Sequence, residues 1–256
     1  MPILYLSGWI ISLICNLLIF DFNKGELSLF GTFLTFILFL YTLPSWGKTR
    51  WGIDKVWNEI GILNLFLKEK VFHAITGYFQ SYLFILIVLS QIYFGDWVLS
   101  SNSFSLDLLK ESLFLGFVVA IPEEIIFRGW LLREIKLFIK GKYSVFLQAL
   151  IFSLAHMRFY MNFIDLFSMF FGLFLLGIVL ALRTSLDKGS LWGAISLHGG
   201  LVSSWYLITQ IFNFSDNIPQ TLIGPGGQNP NPIGSFTGIL ILSVVIIYQR
   251  KTLDKF

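Results

Sequence analysis

Two adjacent glutamates, Glu123 and Glu124, lie in the apolar run Phe114 to Leu132, which reads FLGFVVAIPEEIIFRGWLL and also holds Arg128. Two other apolar runs hold one histidine each, His156 in FSLAH and His198 in GAISLHGG. An ionisable side chain within a bilayer costs several kcal/mol unless it is paired or hydrated, so each is a candidate for function. A carboxylate and two imidazoles around a buried water suffice to hydrolyse an amide: the carboxylate takes a proton, and an imidazole N–H steadies the oxyanion. One glutamate and two histidines, here Glu123, His156 and His198, also match a zinc shell. The HExxH signature, which sets two ligands and a base on one helix, is missing, because each histidine has a run to itself. Both chemistries stay open at this level.

Spacing separates the two acids. Glu124 and Arg128 are four residues apart and share a helix face, where they can pair, whereas Glu123 points about 100° away. One carboxylate can be held ionised while its neighbour is left for proton transfer. Pro122 lacks a backbone donor and can loosen the helix beside the pair. The plainer readings are a structural ion pair with Arg128, hydrogen-bonded core imidazoles for His156 and His198, and a cytoplasmic-side charge for Arg128. Two acids for one base, and histidines at matching depth, favour function.

The elements that must position these residues belong to a membrane domain. Of 256 residues 55% are hydrophobic and 13% charged, about half the charge of a soluble domain, and the mean hydropathy is +0.76. The apolar runs predict an all-α, polytopic transmembrane bundle of eight spans, at 2–20, 27–46, 76–94, 112–132, 144–162, 166–182, 190–212 and 233–248. With both termini cytoplasmic, fourteen of the eighteen Lys and Arg fall on the inner side. Lys24, Lys110 and Arg158 alone fall outside, and Arg128 lies within a span. The first run lacks a basic leader and a cleavage site and reads as an uncleaved span. Three regions follow: N-terminal helices over 1–100 with an amphipathic cytoplasmic segment at 47–75, a helical core over 108–210, and an extracytoplasmic loop with the last helix over 211–256.

Depth ties the polar residues together. At about 1.5 Å of rise per residue, Glu123 lies roughly 16 Å from the outer end of the fourth span. His156 and His198 lie about 18 Å and about 12 Å from the inner ends of the fifth and seventh. All three approach the middle of a hydrocarbon core about 30 Å thick. His73, in the basic loop before the third span, reads as solvated and inert, and Asn162 with Asp165 as the cap of the sixth helix. Scattered cations exclude nucleic acid as a partner, and a lone Cys15 excludes an intrachain disulfide.

Glu123-Glu124 followed by Arg128 and Gly129 resembles the EExxxR motif of the CPBP (Abi) family, the CAAX prenyl proteases and bacteriocin-processing membrane enzymes. Phe152 to His156 is similar to its FxxxH motif, and Gly189 to Trp192 leading to His198 to its third motif; the likeness covers about 108–210. The resemblance implies a glutamic-type intramembrane endopeptidase of the plasma (inner) membrane, acting on a membrane-anchored peptide or protein. It implies Glu123 as the base, His156 as its partner, His198 as oxyanion donor, and Glu124 and Arg128 as residues that orient the site. On that reading no cofactor is required; if zinc is present, Glu123, His156 and His198 hold it. One position departs: the family has Asn four residues after the third-motif histidine, and here Val202 stands there. That departure motivates a second hypothesis, a non-catalytic immunity or scaffold protein binding a peptide in the same cavity. A third, a proton-coupled transporter, is weakened because no inverted repeat is visible.

Overall fold

The computed structural model describes residues 2–157, 161–215, 217–226 and 230–253. The chain forms two compact units, Met1–Glu59 and Ile60–Phe256. The first is a helical hairpin of α1 (Pro2–Leu18) and α2 (Lys24–Trp46). Asn23 starts α2 because its side-chain oxygen accepts from the Gly25 and Glu26 N–H groups, while Glu26 Oε2 accepts from Asn23 N–H, a reciprocal capping box. A π turn, Gly47–Trp51, and the short α3 (Val56–Glu59) close this unit.

The second unit is built around α9 (Trp192–Ile211), flanked by α4 (Leu67–Phe94) and α5 (Leu106–Glu124). Glycines let these backbones meet. A Cβ on Gly116 of α5 would stand 2.4 Å from the Gly199 carbonyl oxygen, and one on Gly77 of α4 would stand 2.2 Å from that of Gly193. Such small-residue contacts are the usual means of tight helix association within a bilayer. After α5 come a π-helical turn (Ile125–Leu131), α6 (Leu132–Lys136) and α7 (Lys142–Ala155). Next is α8 (Phe163–Leu186), which packs on α7 and on α11 (Phe236–Tyr248). Between α9 and α11 lie α10 (Gln220–Ile223) and a 3₁₀ turn, Pro232–Gly234, and α12 (Arg250–Leu253) ends the described chain. Phe84, Val88, Phe152, Leu176, Leu180, Ala194 and Leu197 form the shared core.

Among the described residues three helical stretches are long and apolar enough to cross a membrane: Lys24–Trp51, Leu67–Phe94 and Phe163–Leu186. Val71, Phe72, Ile75, Phe79, Leu83 and Leu86 leave one face of α4 apolar and exposed, as a lipid-facing helix requires. The chain is an integral membrane protein, mostly helical. It also holds one antiparallel ribbon outside the all-α expectation, β1 (Val98–Ser101) with β2 (Phe212–Phe214), in which Val98 opposes Phe214.

Several expected boundaries shift. Segment 47–75 is divided among several elements: Gly52, at φ 70°, ends the π turn, α3 follows, and α4 begins at Leu67. The fifth helix stops at Ala155 instead of 162, with His156 as its C-cap, and Asn162 caps α8 by accepting the Asp165 N–H. Arg158 lies outside the described residues. Starting α4 early and ending α8 late also draws in charges expected on the surface. His73 is 12% exposed, with Nδ1 2.7 Å from Asp187 Oδ1, so it is neither solvated nor unpartnered. Arg183 closes on Asp187 through Nε and Nη2 at 2.8 and 2.9 Å and reaches Gln80 and Thr76.

Candidate active site

Glu123 and Glu124 end α5. Pro122 brings no N–H to the ladder, and from Ile125 the helix widens into its π turn, a local irregularity that recurs at functional sites. Here the two acids part. Glu124 is fully buried, and its Oε1 accepts from Arg128 Nη1 at 2.9 Å and lies 2.8 Å from His198 Nδ1. Arg128 lies in the π turn, donates to the Gly177 carbonyl at 3.4 Å, and sets its guanidinium 4.3 Å from the Phe152 ring centroid.

Glu123 turns the other way, its side chain 24% exposed. His156 Nε2 lies 3.3 Å from its Oε1 and 3.2 Å from its Oε2, and His198 Nε2 lies 3.7 Å from Oε2. His156 is the C-cap of α7, at the end of its helix and not midway along a span. Its Nδ1 is 2.7 Å from the Phe152 carbonyl oxygen, which can only accept, so Nδ1 carries a proton. The Glu123–His156 contact is then a hydrogen bond only if a second proton lies between Nε2 and the carboxylate.

The structure brings all five candidate residues together: Glu123, Glu124, Arg128, His156 and His198. A cavity of about 370 Å³ opens on three of them, Glu123, His156 and His198, with Val202 in its wall. Glu123 Oε2, Glu124 Oε2 and Arg128 Nε are buried without a hydrogen-bond partner among the described residues. Unpaired buried polar atoms cost about 1–3 kcal/mol each, so they mark places where structure yields to another requirement. As a zinc shell the set fits poorly. Among the described residues no group of three His, Cys, Asp or Glu is placed to hold a metal ion.

Two groups escaped the reading of the sequence. The aromatic and loop residues that line the cavity, among them Trp205, Tyr206 and Asn231, carry no motif. The His73–Arg183–Asp187 cluster was hidden because charges beside an apolar run look interfacial until the helix is seen to continue through them.

Fold and site thus define a helical membrane protein with a glutamate–histidine centre in an apolar cavity. Residues 105–203 match the family of type II CAAX prenyl endopeptidases, Rce1-like, and all five candidate residues fall inside the match. The match supports assignment to the CPBP/CAAX protease family, on a segment close to the 108–210 over which the motifs run. Residues 1–55 match a domain of unknown function (DUF8676), which nearly coincides with the first compact unit. No curated protein and no solved structure matches the chain.

Proposed function

We propose that the chain is a glutamic-type intramembrane endopeptidase, with eight spans and both termini cytoplasmic in the plasma membrane. One observation carries the reading: Glu123 meets His156 at the cavity while Glu124 is locked against Arg128 and His198. Of two neighbouring carboxylates, only one is left for chemistry.

Glu123 takes a proton from water as the oxygen attacks the carbonyl carbon of the scissile amide. His156, protonated at Nδ1 towards Phe152 and at Nε2 towards Glu123, gives its Nε2 proton to the departing nitrogen, the C–N bond breaks, and Glu123 returns its proton to His156. Water is consumed, and an acid and an amine leave. His198 serves the oxyanion as an imidazolium: Nδ1–H is spent on Glu124, so only a protonated Nε2 can donate. Glu124 and Arg128 are positioning residues that hold this ring. Glu123→Gln keeps the shape and removes the base. It abolishes cleavage in a protein that still folds, and retained cleavage refutes the reading.

Val202 favours a second reading. An apolar side chain lines the cavity where the family carries an amide, as it would in a peptide-binding immunity or scaffold protein. A cellular phenotype that survives Glu123→Gln selects it.

A further inference from the structure

The cavity has a direction. From Glu123 its wall runs back along α5 through Val119 to Leu115, and from His198 it runs along α9 through Trp205 to Thr209. On the other side of the glutamates Glu124, Arg128 and Phe152 are buried and close it. It therefore extends from the acid pair towards the end of the unit that holds the start of α5, the end of α9 and the ribbon β1–β2. That these parts share one end is shown by two hydrogen bonds: Tyr206 Oη donates to Glu111 at 2.6 Å, and Asn102 donates to the Gln210 carbonyl at 3.0 Å.

The two ends differ in charge. The closed end is tied together by Leu132, Val145, Leu182 and Leu253 in one cluster and by the Lys188–Glu69 pair. It carries ten of the described lysines and arginines of this unit: Lys68 and Lys70 on α4, Arg133 to Lys142 at the α6–α7 turn, Arg183 and Lys188 after α8, and Arg250 and Lys251. At the open end the described cations number one, Lys110, against four carboxylates, Asp96, Asp107, Glu111 and Asp165, and Lys110 is already paired with Asp107. Lysine and arginine accumulate on the cytoplasmic side of a membrane protein, so the closed end is the cytoplasmic one.

We infer that the cavity receives its peptide from the extracytoplasmic side, and that this peptide is an exported one, apolar around the scissile bond and basic beside it. The inference rests on the peptidase reading of the Glu123 centre. Leu115, Val119, Leu173, Leu176 and Leu201 give apolar side chains an apolar wall. Glu111 and its neighbours give a cationic flank a complementary rim. A cytoplasmic protein tail would have to cross the seal of Phe152 and Arg128 to reach Glu123.

Cysteine accessibility in the full chain tests this without reference to cleavage. In a Cys15→Ala background, Thr209→Cys at the cavity wall and Lys140→Cys at the closed end are placed singly in a bacterial inner membrane. Each is exposed to a membrane-impermeant maleimide, in intact spheroplasts and in inside-out vesicles. Thr209→Cys labels in spheroplasts and Lys140→Cys only in inside-out vesicles; the reverse pattern, or Thr209→Cys labelled from neither side, overturns the proposal. An apolar peptide with lysines beside its core then slows labelling of Thr209→Cys at low salt by about 10-fold or more relative to the same core with glutamates. Equal protection, or none, overturns the substrate class. Loss of cleavage in Glu123→Gln with inverted labelling would keep the peptidase and discard the direction, so the two readings fail separately.

Discussion

Two clusters of similar residues lie along the second unit and behave differently. At the cation-rich end Arg183 and Asp187 pair four residues apart, with His73 against the same carboxylate. Further along, Glu124 and Arg128 also pair four residues apart, with His198 against the same carboxylate. In the first, both Asp187 oxygens face cations, and Arg183 is engaged by Gln80 and Thr76 as well. The second is also a clamp, but it stands beside another carboxylate, Glu123, which meets His156 and a cavity. A histidine, an acid and an arginine thus make structure in both places. Chemistry needs the extra acid and an opening onto it.

The largest expected effect falls on that extra acid. Glu123→Gln lowers the rate of cleavage by about 10²–10⁴-fold, the range for loss of a general base, with an unchanged thermal midpoint in detergent. A rate within a factor of a few of the parent's would erase the distinction between the clusters. Arg183→Met reports from the other side. It strands a buried carboxylate and costs about 3–5 kcal/mol of stability, read by denaturant unfolding, while the folded fraction cleaves at nearly the parental rate. Full stability in Arg183→Met would mean that the first cluster is not a structural clamp.

The polar residues of the site stand out in the sequence because apolar surroundings make an ionisable side chain conspicuous, and the four-residue step from Glu124 to Arg128 needs only helical geometry. What the sequence hid is set by tertiary packing. Asp187 and Arg183 sit at the end of an apolar run, where solvation and burial leave the same pattern in one dimension. The end of α7 at Ala155 leaves no mark because Met157, Phe159, Tyr160 and Met161 carry the apolar run past it, and the four- and three-residue strands are too short for a periodic signal. The direction of the cavity is invisible because its wall is shared by helices that only the fold brings side by side.

Helix approach links the two clusters through α9. A Cβ on Gly199 would stand 2.9 Å from the Gly116 carbonyl oxygen, so Gly199→Ala pushes α5 from α9 and Glu124 from His198. A displacement near 1 Å costs about 10²-fold in rate. Stability should fall less than in Arg183→Met, because Asp187 keeps its partners. Parental cleavage by Gly199→Ala would show that His198 need not be held to Glu124.

The smallest effect tests the wall opposite the acids. Val202 is half-buried at the cavity, one helical turn from His198, so Val202→Asn places an amide N–H beside the same space without adding charge. An oxyanion donor is worth about 10²–10³-fold where it is the main one. His198 already supplies one on the proposed mechanism, so the gain expected is about 10-fold in kcat with little change in KM. The same variant in a Glu123→Gln background stays inactive, because a donor cannot replace the base. A gain confined to kcat places the amide at the transition state, as the departure at this position implies. No gain, measured on a protein that folds as the parent does, means that His198 alone meets the oxyanion, and that the chain works without the residue its family uses.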